Sequence, residues 1–334
     1  MDATATAAPI TLEGVRKEYP DGVVAVQGLD LHVPAGELVV LIGPSGCGKS
    51  TVLRMINRLV EPSAGRILLD DEDVTQVDPV ALRRRIGYVI QNVGLFPHQD
   101  VLTNVGTVPR LLGWPKARTQ ERSAEVLELV GLDATTFGRR YPHELSGGQR
   151  QRVGVARALA ADPVVLLMDE PFSAVDPIAR ARLQDEFRRL QADVRKTIVL
   201  VTHDLDEAVR LGDRIAVLSQ GGVLEQYGGP RDLLGSPASP FVREFVGADR
   251  AIRRMAVTPV TEELLDPWTP AVEAQETGAP RIALGTSLYD ALAILLRTNA
   301  DTARVTDGGR VVGALTRHLV LSIDFPPDTA DDDA

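Results

Sequence analysis

Residues 37–51 read ELVVLIGPSGCGKST, and this stretch decides the fold. The apolar run up to Ile42 predicts a short buried strand, and a helix is predicted from Lys49 to about Leu59. The nine residues 43–51 join them and match the pattern G-x-x-x-x-G-K-[ST]. Glycines let successive backbone N–H groups point at phosphate oxygens, and the positive end of the helix dipole favours the same anion. The sequence therefore predicts a phosphate-binding loop.

The loop predicts a nucleotide site for ATP and Mg²⁺. The residues expected to contact the nucleotide are Gly43, Pro44, Ser45, Gly46, Cys47, Gly48, Lys49, Ser50 and Thr51. Lys49 is expected to reach the β- and γ-phosphates, and the Ser50 hydroxyl to hold Mg²⁺. Cys47 is the single cysteine, which excludes an internal disulfide, and its thiol is expected only to fill space.

Further apolar runs predict the rest of an α/β fold. Residues 164–168, 197–201 and 214–218 read as buried strands, and residues 177–194 between two of them have a helical pattern. Alternating strands and helices predict a mostly parallel sheet with helices on its faces. The earlier residues 10–33 alternate apolar and polar side chains and predict antiparallel strands. Residues 92–160 are poor in strand signals and read as helical.

Two adjacent carboxylates follow the strand at 164–168, in the sequence VVLLMDE. Ligands of open α/β sheets bind at the carboxyl ends of the strands, so both side chains are expected beside the phosphate loop. Asp169 is predicted to hold Mg²⁺, directly or through water. Glu170 is then the candidate to orient and activate the attacking water.

Residues 145–160 read LSGGQRQRVGVARALA and contain a second anion-binding turn before a helix. One nucleotide needs only one phosphate cradle. The second turn is explained if two chains meet head to tail, with Ser146 and Gly148 of each chain contacting the nucleotide of the other. SGG alone is more typical of an ordinary helix cap. In the head-to-tail interpretation the chain forms a homodimer, and its nucleotide-contacting turn comprises Ser146, Gly147, Gly148 and Gln149.

LSGGQ at 145–149, a phosphate loop about 100 residues upstream and VVLLMDE about 20 residues downstream together resemble the ABC ATPase family over roughly residues 9–247. The resemblance implies a P-loop ATPase domain with a mixed sheet, an antiparallel β subdomain and a helical subdomain. It also implies an ATPase that drives transport through separate transmembrane permease subunits.

The resemblance implies further site residues. Tyr19 would stack on adenine. Gln91 would be a Mg²⁺ ligand, and its loop would also contact the permease. Asp176 would link the two nucleotide sites, and His203 would contact the γ-phosphate. The family more often has GALD where this chain has SAVD at 173–176.

Composition constrains where such a subunit works. No run of 18 or more apolar residues exists, and the N-terminal MDATATAAPITLEG lacks the features of a secretory signal. A net charge of −10 argues against nucleic acid as a partner. The expected place is therefore the cytoplasmic face of the cell membrane, as a peripheral subunit beside the permease and an extracytoplasmic substrate-binding protein.

Residues 86–98 and 144–172 resemble the branch of the family that imports quaternary-amine osmoprotectants: glycine betaine, carnitine, choline and proline. One alternative is an importer ATPase for another solute, such as an amino acid or a metal chelate. A second alternative is a non-transport ABC ATPase of the DNA-repair or translation type, which would show paired cassettes, a coiled-coil insertion or basic patches.

The sequence after residue 247 changes character. Residues 248–281 are rich in proline with little periodicity and are predicted to form a linker. Residues 282–323 resemble a single CBS motif, an α+β unit with Asp307-Gly308-Gly309 as a hairpin turn. His318 stands where nucleotide-binding CBS motifs often have aspartate, so nucleotide sensing and a mere packing or dimerisation role both stay open. The acidic residues 324–334 are predicted to be a disordered tail.

Overall fold

The structure is a computed structural model that describes residues 7–91, 93–173, 175–247, 249–269 and 278–323. The chain divides into two compact units, residues 1–229 and 230–334. Within the described residues no helix is long and apolar enough to cross a membrane. The predicted acidic tail, 324–334, lies outside the described residues.

The first unit contains a four-stranded antiparallel sheet of order β2-β1-β4-β5. Its strands are β1 Ile10–Glu18, β2 Val24–Val33, β4 Ala64–Leu69 and β5 Glu72–Asp73. This sheet confirms the antiparallel strands predicted within residues 10–33.

A six-stranded sheet of order β10-β9-β3-β8-β7-β6 forms the centre of the same unit. Its strands are β3 Leu38–Ile42, β6 Ile86–Val89, β7 Val165–Asp169, β8 Thr197–Val201, β9 Arg214–Ser219 and β10 Val223–Gly228. All neighbours pair in parallel except β9 and β10. Every residue of β3, β7 and β8 is buried, as expected for parallel strands covered on both faces.

The helices of this unit pack against the sheets or, within residues 92–160, mainly against one another. They are α1 Lys49–Ile56, α2 Pro79–Arg85, α3 Val101–Val105, α4 Thr107–Leu111, α5 Lys116–Leu129, α6 Ala134–Phe137, α7 Gly147–Leu159, α8 Pro177–Val194 and α9 Leu205–Leu211. Helices α3 to α7 confirm the helical character predicted for 92–160. The main core of the unit joins both sheets through α1, where Val52 and Ile56 pack with Leu41 and Leu167.

The second unit is smaller. Its elements are α10 Pro230–Gly235, α11 Pro240–Val246, α12 Arg250–Val257, β11 Arg281–Ala283, α13 Leu288–Arg297, β12 Thr302–Asp307, β13 Arg310–Thr316 and α14 Arg317–Ser322. The sheet has the order β11-β12-β13, parallel between the first two strands and antiparallel between the last two. The hairpin predicted at 307–309 thus joins β12 to β13.

The two compact units divide between residues 229 and 230, whereas the sequence analysis placed the end of the ATPase domain at 247. Helix α10 packs against α12, and α12 packs against α13, so residues from 230 onward belong with the second unit. Much of the predicted linker 248–281 is ordered, because isolated bridges tie Pro259 to Ser287 and Asp266 to Ala314. Val260 is also part of the buried core of this unit.

Candidate functional site

The phosphate loop is held between two strands of the first unit. Gly43 has φ 151°, and a Cβ there would lie 2.1 Å from the carbonyl oxygen of Leu218 on β9. Gly48 has φ 108°, and its Cβ would lie 2.4 Å from the carbonyl oxygen of Ala25 on β2. Both positions therefore require glycine, for the backbone conformation and for the close approach of a second backbone.

Helix α1 begins at this loop without a side-chain cap. Gly48 is its N-cap residue, it makes no capping hydrogen bond, and the first turn carries no acidic residue. The first N–H groups of a helix have no partner within the helix and carry its positive dipole end. The start of α1 is therefore suited to an anion.

Lys49 places its ammonium group inside the loop. The side chain is nearly buried, with 7% of the residue exposed. Nζ donates to the carbonyl oxygens of Gly43 at 2.8 Å and Pro44 at 2.9 Å, and lies 3.6 Å from Cys47 Sγ. The loop thus holds a cation at the point where it is shaped for phosphate. Cys47 is fully buried and fills space in the loop, as the sequence suggested.

Strand β7 delivers the two carboxylates next to the loop. The Ser50 hydroxyl donates to Asp169 Oδ1 at 2.8 Å. A hydroxyl and a carboxylate at this separation form a pair of hard oxygen ligands, which suits Mg²⁺. Burial, together with the negative charge of Asp169, raises the pKa of Tyr88 on the neighbouring strand, so this phenol stays neutral at physiological pH.

Glu170 lies immediately beyond the strand, at φ 45° in the left-handed region. Its backbone N–H donates to the carbonyl oxygen of Val201, which anchors it to β8. Its carboxylate accepts from Gln91 Nε2 at 3.1 Å and lies 3.2 Å from His203 Nδ1. A left-handed conformation is costly for a residue other than glycine and is often found at functional sites.

The structure therefore brings together Glu170, Gln91 and His203, three of the predicted catalytic residues. Gln91 was also expected to contact Mg²⁺, but here its amide group faces Glu170. A partly buried carboxylate flanked by an amide and an imidazole can accept a proton from a bound water molecule.

A buried carboxylate close to His203 was missed from the sequence. The Thr202 hydroxyl donates to Glu207 on the first turn of α9. Burial raises the pKa of Glu207 to about 7. The motif THDLDEA gives no sign of this, because an acidic residue on the first turn of a helix is normally exposed.

The predicted second anion-binding turn begins α7, and it is capped. Ser146 Oγ accepts from the Gln149 N–H at 3.2 Å, and Gln149 Oε1 accepts from the Ser146 N–H at 2.9 Å. This capping box fixes the turn with its own side chains. Ser146 is exposed, and a Cβ on Gly148 would meet no atom within 4 Å. The turn is therefore open at the surface of the unit.

Asp176 and Tyr19, two further predicted site residues, lie in different turns of the first unit. Asp176 is the exposed N-cap of α8 and accepts from the Ala179 N–H at 3.0 Å. Tyr19 lies in the turn between β1 and β2, with its ring centroid 5.2 Å from Lys17 Nζ. Strand β2 begins after this turn, and the carbonyl oxygen of Ala25, its second residue, lies against Gly48 of the phosphate loop.

A strand, a glycine loop and a helix that form a phosphate cradle, next to a strand ending in two carboxylates, define a P-loop nucleotide-binding protein. Residues 26–173 match the family model described as ABC transporter. The glycine betaine/carnitine/choline transport ATP-binding protein OpuCA of Bacillus subtilis is 50% identical over 82% of this chain and 72% of its own. The chain belongs to the family of ABC transporter ATP-binding proteins, as the motifs predicted.

Two other similarities extend this result. The choline transport ATP-binding protein OpuBA of Bacillus subtilis is 47% identical over 91% of this chain and 77% of its own. The solved dimeric structure of MJ0796, a bacterial ABC transporter cassette, is 34% identical, with a TM-score of 0.59 over 66% of this chain and 98% of that one. The fold of a known dimeric cassette is therefore shared.

Proposed function

We propose that this chain is the ATP-hydrolysing subunit of an importer for quaternary-amine osmoprotectants such as glycine betaine, carnitine, choline or proline. The observation that carries the proposal is the identity with OpuCA over 82% of the chain. The alignment with OpuBA covers 303 residues, more than the 229 of the first unit, so the similarity extends into the second unit as well. A similarity confined to the ATPase unit would say less about the solute.

The proposed hydrolytic site uses the geometry around the phosphate loop. Lys49 would exchange its loop carbonyls for the β- and γ-phosphate oxygens, while Ser50 and Asp169 would hold Mg²⁺. When bound, Mg²⁺ would supply positive charge to the phosphate oxygens. Glu170 would take the proton of the attacking water, and Gln91 and His203 on either side of its carboxylate would orient the water and the γ-phosphate.

The proposed assembly is a homodimer on the cytoplasmic face of the membrane. Each chain would offer the open turn at Ser146 and Gly148 to the nucleotide of its partner, and Asp176 would lie near the junction of the two sites. Tyr19 would stack on the adenine. Transmembrane permease subunits and an extracytoplasmic substrate-binding protein would complete the importer, and no nucleic acid is involved.

The test is ATP hydrolysis and solute uptake by Glu170→Gln in proteoliposomes with the permease and binding protein. The substitution removes the proton acceptor but keeps the shape, so we expect hydrolysis to fall at least about 100-fold while ATP still binds. Wild-type vesicles are expected to take up labelled glycine betaine, choline or carnitine. Glu61→Gln, on an exposed carboxylate paired with Arg58, serves as the control.

Two results would contradict the proposal separately. If Glu170→Gln retained more than about a tenth of wild-type turnover, Glu170 would not be the base. If the wild-type importer moved an amino acid or a metal chelate and none of the quaternary amines, the solute assignment would be replaced by the alternative.

We further propose that the second unit is a single CBS-like module that pairs with its copy through α13. Tyr289 and Leu296 on this helix are 49% and 57% exposed, and Ala293 between them is exposed as well. These positions are spaced to lie on one face. Asp290 and Arg297 flank that face at opposite ends, so antiparallel pairing of two copies would place each acid beside a base of the partner.

A charge swap tests this pairing. We expect Asp290→Arg to weaken association of the full-length chain in analytical ultracentrifugation, because it creates like-charge contacts across the pair. Asp290→Arg combined with Arg297→Asp restores opposite charges and is expected to restore association. Unchanged association in Asp290→Arg would rule out α13 as the contact.

A further inference from the structure

Helix α7 touches a second part of the nucleotide site besides its own N-terminal turn. It is 13 residues long, about 20 Å, and begins next to Ser146. Arg157 lies in its last turn, where a positive charge is favoured by the helix dipole. The loop that follows β6 and carries Gln91 passes beside this end of the helix.

Arg157 binds the backbone of that loop with both arms of its guanidinium group. Nη2 donates to the Val93 carbonyl oxygen at 2.6 Å, and Nη1 donates to the Gly94 carbonyl oxygen at 2.7 Å. Gly94 has φ 58°, a left-handed conformation that suits glycine. Burial lowers the pKa of Arg157, but an arginine keeps its charge, and charge-assisted hydrogen bonds gain strength away from water.

Gly154, one turn earlier on α7, leaves space for the same loop. A Cβ at Gly154 would lie 2.3 Å from Val93 Cγ1, well inside contact distance. Valine has a stiff, branched side chain that cannot simply rotate away. A methyl group at position 154 would therefore displace Val93 and the loop with it.

This loop determines where Gln91 lies. Val93 is two residues after Gln91, and the Gln91 amide is 3.1 Å from the Glu170 carboxylate. A shift of α7 along or across its axis would therefore reach Glu170 through Arg157 and Val93. The contacts along this path are the hydrogen bonds of Arg157 to the Val93 and Gly94 carbonyl oxygens and that of Gln91 to the Glu170 carboxylate.

We propose that Arg157 and Gly154 are positioning residues that lock the Gln91 loop to α7, so that binding of the partner's nucleotide at the Ser146 turn is transmitted to Glu170 of the same chain. The proposal rests on the hydrolytic role and head-to-tail dimer proposed above. It assigns a physical connection between the nucleotide held by the partner and the water-activating group of the chain itself.

The first test compares Arg157→Gln with Arg152→Gln in the full-length chain. Arg152 lies on the same helix and also contacts a backbone carbonyl, that of Gly131, and an acid, Glu186, but not the Gln91 loop. We expect Arg157→Gln to lower kcat at least about tenfold, because small misplacements of a catalytic arrangement are costly, and to change the Kd for ATP less than about threefold. Arg152→Gln is expected to keep wild-type kcat.

The second test does not depend on Arg157→Gln folding well. Gly154→Ala is expected to lower kcat by displacing Val93, and Val93→Ala in the same chain is expected to restore most of it by removing the overlapping methyl groups. A residue that acts only on overall stability would not be rescued in this way, and thermal unfolding of all variants would be recorded alongside.

The outcomes separate this proposal from the one it rests on. If the wild-type chain hydrolyses ATP but Arg157→Gln turns over as fast as Arg152→Gln, or Val93→Ala fails to rescue Gly154→Ala, the connection is overturned and the ATPase assignment stands. If the wild-type chain does not hydrolyse ATP, the proposed function itself fails.

Discussion

Helices α1 and α7 both begin at glycine-rich turns of the kind that bind anions, but they are built in different ways. The start of α1 is uncapped and is shaped by Gly43 and Gly48, which sit against other backbones. The start of α7 is closed by the mutual hydrogen bonds of Ser146 and Gln149, and a Cβ on Gly148 would have free space. The first turn is therefore fixed by the fold around it, and the second by its own side chains.

The comparison also predicts which turn binds nucleotide in an isolated chain. The turn before α1 already holds the Lys49 ammonium group of its own chain, so an isolated chain has the positive charge that phosphate needs. At the capped turn of α7, Ser146 Oγ accepts from the Gln149 N–H, so the hydroxyl keeps its own proton to donate to a phosphate oxygen brought by a partner chain. This difference is what a head-to-tail dimer would use.

Removing the functional side chain from each turn should give the largest contrast. We expect Lys49→Ala to reduce ATP hydrolysis by about 100- to 1000-fold, since it deletes the charge placed on the phosphates. Ser146→Ala should lower hydrolysis only about tenfold and leave nucleotide binding to the single chain unchanged, while the lost cap costs about 1 kcal/mol. Nucleotide titration and steady-state hydrolysis measure both. Equal loss of binding in the two variants would erase the distinction between the turns.

Adding one methyl group to each turn should give the next largest effect. Gly48→Ala forces a left-handed alanine against the Ala25 carbonyl and is expected to destabilise the first unit by about 2–5 kcal/mol. Gly148→Ala meets open space and is expected to be neutral or to stabilise α7 by up to about 1 kcal/mol. Denaturant unfolding of the two proteins measures this difference.

The Gly148→Ala protein has a second use. If a partner's phosphate approaches Gly148 in the dimer, hydrolysis should fall in a protein whose stability is intact. Full activity in Gly148→Ala would show that nothing approaches this surface closely.

The N-terminus of helix α9 differs from those of α1 and α7, because a carboxylate of the same chain already accepts from its first N–H groups. Its N-cap Asp204 accepts from the N–H groups of Asp206 and Glu207, so no anion is needed there. The carboxyl of Glu207 faces Thr202, and burial raises its pKa from 4.5 to about 7. The folded chain therefore holds a proton in a pH range where the unfolded chain has released it.

The raised pKa of Glu207 makes the free energy of unfolding depend on pH. The contribution of Glu207 to unfolding free energy is fully present below about pH 4.5 and is lost as pH rises through about 7. Glu207→Gln should remove this loss, so its stability relative to wild type is expected to rise by up to about 3 kcal/mol between pH 4.5 and pH 8. Denaturant unfolding across pH, with exposed Glu72→Gln as control, measures it. Parallel profiles for wild type and Glu207→Gln would show that Glu207 is ionised in the folded chain.

The elements around the site could be read closely from the sequence, because β3, β7 and β8 are buried on both faces and appear as unbroken apolar runs. The end of α1 was placed three residues too late. The apolar residues Leu59 and Val60 continue the pattern, but the backbone turns at Arg58, which has φ 51°.

What the sequence could not predict depends on contacts between distant residues. Arg157 binds Val93 across 64 positions, and no spacing pattern marks such a pair. Gln91 was predicted to contact Mg²⁺, and nothing in the sequence indicated the hydrogen bond that its amide donates to Glu170. The segment 248–281 was predicted to be a linker, but in its described part bridges join Pro259 to Ser287 and Asp266 to Ala314, contacts that no local periodicity marks.

The boundary between the two compact units has a genetic consequence. It falls at Gly229 and Pro230, directly after β10, which is the edge strand that completes the six-stranded sheet. A recombination event at this codon pair would exchange everything downstream without cutting a strand or a helix of the ATPase. Such an exchange would leave every residue of the proposed nucleotide site, from Tyr19 to His203, together in the first unit.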